Sequence, residues 1–257
     1  GTAGFAHVSC LAEQAKILYD EVEENNLDIK VRQARWVRWC TCSLCEQDYH
    51  GVVACALGWA CWTTYVGRPE ADKARRLAMS VLGNGLSDAG HHEDALPVGE
   101  AALAMKRRLG VTDQSMLVTQ GNLAITYHML DRPEEANRML RDIYSGWASL
   151  QGEEHENTFI AADNYALSLL GLRRFEEAKS LMRKTLPVAR RVLGESHDLT
   201  IRVVRSYARA LYEDGDATLD DLREAVATLA ETERTARRVL GGAHPVTEEI
   251  EDELQNA

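Results

Sequence analysis

Hydrophobic residues recur at helical spacing through most of this chain. In "NLAITYHML", apolar side chains follow at three- and four-residue intervals, as in Leu123, Tyr127 and Leu130. That period places them on one face of an α-helix. Polar, turn-prone breaks such as "LDRPEE" and "LGLRRFEE" separate the periodic segments, as they do between successive helices. The pattern predicts an all-α fold.

The helical pattern repeats from about Leu77 onward. Leu-Gly or Gln-Gly pairs end at glycines spaced 42, 42 and 47 residues apart: Gly110, Gly152, Gly194 and Gly241. Small residues align in successive repeats, at Ala124, Ala166 and Ala208 in the first helix and at Ala136, Ala178 and Ala225 in the second. Because one helical hairpin cannot bury its own apolar face, the repeats are expected to stack into a solenoid.

A Gly-x-x-His-x-x-Thr pattern follows three of these glycines. It pairs His155 with Thr158, His197 with Thr200, and His244 with Thr247, while Asp113 replaces the histidine in the first repeat. The histidines lie tens of residues apart, each just ahead of a predicted helix. We therefore interpret them as turn or capping residues, not as metal ligands.

These repeats resemble tetratricopeptide repeats in the long, 42-residue form of kinesin light chains, over residues 77–257. The resemblance implies a right-handed solenoid of helix-turn-helix repeats, with the first helix of each pair lining a concave face that binds a partner. The last repeat departs from the family, because "GDATLDD" lengthens its turn by about five residues. The acidic end, "TEEIEDELQNA", resembles a polar capping helix.

By this resemblance, five side chains occupy groove positions for a protein or peptide partner: Asn122, Asn164, Arg202, Arg205 and Arg209. The three arginines share one helix face. They suggest recognition of an acidic segment or a carboxylate, which guanidinium groups bind in bidentate fashion. The alternative is pairing within the protein, for example Arg209 with Glu213 or Arg205 with Asp163.

The amino-terminal quarter contains two pairs of possible zinc ligands, His7-x2-Cys10 and Cys42-x2-Cys45, with an amphipathic segment between them. Zn²⁺ takes thiolate and imidazole ligands in a tetrahedral arrangement. Together with Trp39 and the aromatic residue four positions after Cys45, residues 1–50 resemble the second half of a RING-CH (C4HC3) zinc finger. The separation of Cys10 from Cys42 is longer than is usual for that family.

The RING-CH resemblance implies that His7 and Cys10 complete one zinc site, and Cys42 and Cys45 another, with cysteine pairs upstream of Gly1. Two alternatives stay open. The four residues could close a single zinc site, or the finger could be metal-free, with cysteines packing as small hydrophobic residues. Cys40, Cys55 and Cys61 fit no ligand pair and are expected in the core.

Residues 51–76 connect the finger to the repeats and begin with the uncharged stretch "GVVACALGWACWTTYVG". This stretch is shorter than the roughly 20 apolar residues that span a bilayer, so it predicts a buried helix and argues against membrane insertion. The formal net charge of −11 argues against nucleic-acid binding. Six cysteines confined to the first quarter indicate an intracellular, cytoplasmic protein and not a disulfide scaffold.

No nucleophile, base and orienting group occur as a set, so the chain is not expected to catalyse bond chemistry itself. Two functions remain. The RING-CH resemblance implies a ubiquitin ligase, in which the finger recruits a ubiquitin-conjugating enzyme and the repeats bind the substrate. The alternative is a scaffold, such as a subunit of a larger assembly, with a structural or vestigial finger.

Overall fold

The computed structural model describes residues 7–111 and 114–256, and the regular elements in those ranges are helical. In chain order they are α1 (Val8–Glu24), α2 (Ile29–Trp36), α3 (Gly51–Tyr65), α4 (Lys73–Asp88), α5 (His92–Arg108), α6 (Gln114–Met129), α7 (Pro133–Gln151), α8 (Glu156–Gly171), α9 (Phe175–Leu193), α10 (Asp198–Tyr212), α11 (Leu219–Val239) and α12 (Pro245–Asn256). A 3-10 turn, Val37–Trp39, follows α2. The all-α prediction is confirmed for these ranges.

The helices form two compact units, residues 1–131 and residues 132–257. In the first unit, α3 packs on α1 and α4, α4 packs on α5, and α5 packs on α6. In the second unit, α7 through α12 likewise pack in chain order, and α8 also contacts α10. Sequential packing of this kind is the expected result of stacking helical hairpins.

The glycine-histidine-threonine pattern builds the start of a helix, as predicted. In α8, the Nδ1 atom of His155 accepts a hydrogen bond from the backbone N–H of Asn157 at 3.1 Å. Thr158 donates to the Gly152 carbonyl at 2.7 Å. His197 and His244 cap α10 and the start of α12 in the same way. Asp113, at the equivalent place in the first repeat, lies outside the described residues.

The small residues of the repeats lie in the core. Six aligned alanines are at most 3% exposed: Ala124, Ala136, Ala166, Ala178, Ala208 and Ala225. In the second unit, Ala162, Met182, Val204 and Leu211 pack in one hydrophobic cluster with Ala166 and Ala225. Because the alanine side chain is only a methyl group, two helices can approach closely enough at these positions to exclude water.

An aromatic cluster organises the amino-terminal part of the first unit. Tyr19 of α1 contacts Trp36 of α2 edge-on, with ring centroids 4.9 Å apart, and Trp39 contacts Tyr65 of α3 at 6.0 Å. Tyr19, Trp39 and Tyr65 are almost completely buried. Residues placed in a zinc finger by sequence resemblance therefore belong to a helical core, and a zinc-finger module is not shown.

Helix α3 packs against α4 at backbone contact. A Cβ atom on Gly58 would lie 3.0 Å from the Leu82 Cα, and one on Gly85 would lie 2.5 Å from the Ala54 carbonyl oxygen. Both glycines are therefore required by the approach of the two helices. The apolar stretch is buried, as expected, on the side of α3 that faces α4, although Val52 and Trp59 are exposed.

Candidate functional site

A groove between α4, α5 and α6 contains the first predicted partner-binding residue, Asn122. Small and polar residues line it, among them Ser80, Gly83, Asn84, Gly99, Thr119 and Asn122. The Asn122 Nδ2 atom donates a 2.6 Å hydrogen bond to the Asn84 Oδ1 atom, which joins α6 to α4 across the groove. Both side chains keep further donor and acceptor sites for a ligand.

The groove depends on close packing behind it. A Cβ atom on Gly99 would lie 2.8 Å from the Leu123 Cδ2 atom, so a larger residue here would require the Leu123 side chain to shift. Leu123 itself is 2% exposed. Because the two helices fix the groove wall, the amide pair of Asn84 and Asn122 has a defined position. Sequence reasoning missed Asn84, which lies in the weaker, less recognisable copy of the repeat.

Asn164, the second predicted groove residue, lies on α8 in the other unit. It is exposed and makes no side-chain hydrogen bond to the part of the chain that the structure describes. The preceding residue, Asp163, is only 1% exposed. Asp163 accepts hydrogen bonds from Arg202 Nη2 at 2.8 Å and from Ser206 Oγ at 2.5 Å. A buried carboxylate is thus neutralised by the first predicted arginine.

The other two predicted arginines are also paired. Arg205 binds Glu253 through Nη2 at 2.8 Å and Glu249 through Nη1 at 2.7 Å, both on α12. Burial alone would lower the pKa of Arg205, but the hydrogen bonds and charges of these two carboxylates outweigh it and raise the pKa. Arg209 binds Glu213 at 2.7 Å.

Internal pairing of the arginines, the alternative interpretation of the sequence, therefore describes this stripe. The pairing of Arg209 with Glu213 is confirmed, whereas the pairing of Arg205 with Asp163 is wrong, because Arg202 occupies that carboxylate. The polar capping helix supplies the actual partners of Arg205. The sequence contained those acidic residues, but their large separation from Arg205 along the chain hid the contact.

Cys42 and Cys45 lie together in a tight, exposed turn closed by an antiparallel bridge between Thr41 and Asp48. The Leu44 backbone N–H points at the Cys42 sulfur at 3.4 Å. Backbone hydrogen bonds from Cys45 and Leu44 lower the pKa of Cys42 below its ordinary value. Two N–H groups directed at one thiolate are a suitable setting for a metal-binding sulfur.

His7 and Cys10 lie at the start of α1, and both are exposed. His7 precedes the helix but makes no side-chain capping bond. Within residues 7–111 and 114–256, no three histidine, cysteine or acidic side chains come together as a metal site. The structure thus keeps Cys42 and Cys45 as a pair and does not join them with His7 and Cys10.

The three remaining cysteines have different surroundings. Cys61 is completely buried in the aromatic cluster, and Cys55 packs beside Leu82 and Leu86. Cys40 is exposed as a residue, but burial of its thiol, helped by the charge of Asp48, raises its pKa to about 11. The core prediction is confirmed for Cys61 and describes Cys55 and Cys40 only in part.

Comparison with known proteins agrees with the repeat geometry. Residues 115–190 match the family model of the tetratricopeptide repeat. This segment runs from α6 into α9 and contains two of the aligned hairpins. A comparison with curated proteins gives no match.

Solved structures resemble the chain over nearly its whole length. A candidate kinesin light chain from Podosopora anserina, described as having nearly identical TPR-like repeats, is 17% identical, with a TM-score of 0.63. The alignment covers 91% of this chain and 98% of that one. BtubC (BKLC) from P. vanneervenii is 14% identical, with a TM-score of 0.62 and coverage of 94% and 95%. These similarities show an all-helical, tetratricopeptide-like fold.

In the described residues, no helix has both the length and the apolar character needed to cross a membrane.

Proposed function

We propose that this chain is a protein-interaction module that holds an extended segment of a protein partner along the first helices of its repeats. The observation that carries the proposal is the Asn84–Asn122 amide pair at the groove of the first unit. Amide side chains can hydrogen-bond both the N–H and C=O groups of an extended backbone. Small residues, among them Ser80, Gly83 and Gly99, lie beside the pair.

Asn164 supports the same role in the second unit, since its amide is exposed and uncommitted among the described residues. The neighbouring arginines contribute less than the sequence suggested. Arg202, Arg205 and Arg209 already bind carboxylates at 2.7–2.8 Å. An acidic ligand at this stripe would have to compete with those contacts, so we expect the groove to select for backbone geometry more than for negative charge.

Phage-displayed random peptides selected on the intact chain would supply a probe for this proposal. Asn84→Ala and Asn122→Ala should each weaken the selected peptide about three- to tenfold, the range of one lost hydrogen bond. Asn25→Ala removes an exposed amide at the end of α1, outside the groove, and serves as the matched control. Equal peptide affinities for the wild type and the three variants would show that the peptide does not bind in the groove.

A second proposal is that Cys42 and Cys45 supply half of a zinc site, with His7 and Cys10 supplying half of another. The turn at Cys42 favours this proposal, because its sulfur accepts backbone N–H groups. Zinc would fix the turn structurally; the ubiquitin-ligase role and recruitment of a conjugating enzyme rest on that site being complete. Without it, the chain is a scaffold or a subunit of a larger assembly.

Elemental analysis for zinc tests this second proposal. The chain itself and the full-length natural protein would be compared. Two zinc ions in the full-length protein would support paired sites and justify a ubiquitin-transfer assay. Absence of zinc from both versions would reject the finger and the ligase role, and it would leave the groove proposal unaffected.

A further inference from the structure

Helix α2 is basic, although the chain as a whole is acidic. Lys30, Arg32, Arg35 and Arg38 fall within nine residues, in a protein with a formal net charge of −11. These nine residues contain no acidic residue, and the nearby Asp28 caps α2, its carboxylate accepting from the backbone N–H groups of Lys30 and Val31. The helix therefore presents a local concentration of positive charge.

These cations are not neutralised in the way that the groove arginines are. Within the described ranges, Lys30, Arg32 and Arg38 form no ion pair with a carboxylate, and Arg38 donates to the Cys42 carbonyl at 3.1 Å. Arg35 has one long contact, 3.9 Å from Glu21. The charge on α2 is thus available to an external ligand.

Exposed aliphatic side chains accompany the charge. Ile29 is 62% exposed, Val37 in the 3-10 turn after the helix is 44% exposed, and Leu27 is exposed just before the helix. Helix α2 is anchored, because Trp36 packs on Tyr19 and Tyr65 with ring centroids 4.9 and 5.5 Å away. The surface is therefore held in place while its aliphatic groups face solvent.

We propose that residues 27–38, the α2 surface, bind an acidic amphipathic segment of a protein partner. The carboxylates of that segment would face Lys30 and Arg32, which lie on either side of Ile29 around the helix, and its apolar residues would cover Ile29 and Val37. Charge complementarity requires the partner segment to be negatively charged, and burial of the aliphatic groups adds affinity that salt does not screen. This surface is distinct from the amide groove.

The net charge of the chain favours a protein segment over other anionic ligands. A bilayer or a nucleic acid presents an extended negative surface, which feels the repulsion of the whole protein at −11. A short acidic segment responds mainly to charges within about 8–10 Å, the screening length at physiological salt. On this surface those charges include Lys30 and Arg32, while the neighbouring α1 carboxylates Glu21 and Glu23 are already contacted by Arg35 and Arg68.

Fluorescence anisotropy with a labelled peptide of repeating Glu-Glu-Leu-Leu tests the proposal on the intact chain. We expect Ile29→Ser/Lys30→Glu to weaken binding tenfold or more. The fold should be retained, because both side chains are exposed and a glutamate suits a helix amino terminus. The matched control, Leu219→Ser/Arg223→Glu, changes an equally exposed aliphatic–basic pair on α11 and should bind like wild type.

Further binding measurements locate the site on the protein and identify the class of ligand that the α2 surface prefers. A Lys-Lys-Leu-Leu peptide should bind at least tenfold more weakly than the acidic peptide, and Asn122→Ala should leave acidic-peptide binding unchanged. Equal loss in the α11 control, loss in Asn122→Ala, or absence of acidic-peptide binding would overturn the proposal. Preferential binding to phosphatidylserine vesicles over the peptide would also overturn it and would assign the surface to membranes.

Discussion

Replacing Gly85 with alanine tests the backbone contact between α3 and α4. The new methyl carbon would lie 2.5 Å from the Ala54 carbonyl oxygen, 2.9 Å from the Ala54 carbonyl carbon and 3.1 Å from the Cys55 Cα. All three atoms belong to the backbone of α3, so no side chain can rotate away to make room. The helices must separate for the methyl group to fit.

Two opposing effects set the magnitude. Alanine is favoured over glycine inside a helix by about 1 kcal/mol, whereas overpacking a close contact costs about 1–3 kcal/mol, and sometimes more. With three backbone atoms inside normal contact distance, we place Gly85→Ala at the high end of that cost. The free energy of unfolding should fall by about 1–2 kcal/mol after the helix-propensity gain is included.

Gly83→Ala is the matched control, because it lies on the same helix two residues away. Its methyl carbon would meet only the Val98 Cγ1 atom at 3.5 Å, an ordinary contact. This variant should gain up to about 1 kcal/mol from helix propensity. Urea denaturation followed by circular dichroism at 222 nm measures both variants. A Gly85→Ala protein as stable as Gly83→Ala would refute the close packing of α3 on α4.

Three further results are expected. Asp163→Ala should lower the free energy of unfolding by about 3 kcal/mol, since it leaves Arg202 and the buried Ser206 without their acceptor. The control Asp142→Ala, at an exposed site of α7, should change that free energy by less than about 0.5 kcal/mol in the same denaturation assay. Similar losses in both variants would contradict the buried network. The free energy of unfolding should fall as pH drops below about 5. Arg132 and Arg174 lower the pKa values of Glu135 and Glu177, and backbone and side-chain hydrogen bonds lower the pKa values of Asp214 and Asp221. Groups with depressed pKa values stabilise the fold above their unfolded pKa and lose that contribution on protonation, so a melting temperature unchanged from pH 6 to pH 3 would count against these contacts. Iodoacetamide at neutral pH should label Cys42 before Cys40, whose pKa is about 11, and mass spectrometry showing the reverse order would contradict the turn geometry.

The order of helices and the chemistry of their ends could be predicted from the sequence. Helical spacing of apolar residues located the hairpins, and the glycine, histidine and threonine pattern located helix starts such as His155, because capping involves residues within six positions of one another. The aligned alanines of the core followed from the repeat itself. All these features depend on local geometry, which a short stretch of sequence encodes directly.

The candidate site could be predicted only in part. Asn122 was placed in a groove by its repeat position, but its partner Asn84 lies 38 positions away in a degenerate repeat. The spacing of the three arginines predicts that they share a helix face, but it does not predict that Arg202 forms an ion pair with Asp163. Which side chain reaches a carboxylate on another helix depends on the stacking offset, and helical period alone does not fix that offset.

The sequence by itself determined the helical repeat, its turns and the small residues at its core. Tertiary structure decided which charges are neutralised: the arginine stripe is satisfied largely by α8 and α12, while α2 keeps its positive charge available. It also decided that aromatic packing of Tyr19, Trp39 and Tyr65 organises the amino-terminal helices. The physical reason is that local hydrogen bonds need only neighbouring residues, whereas long-range ion pairs and core contacts need distant helices at a specific separation.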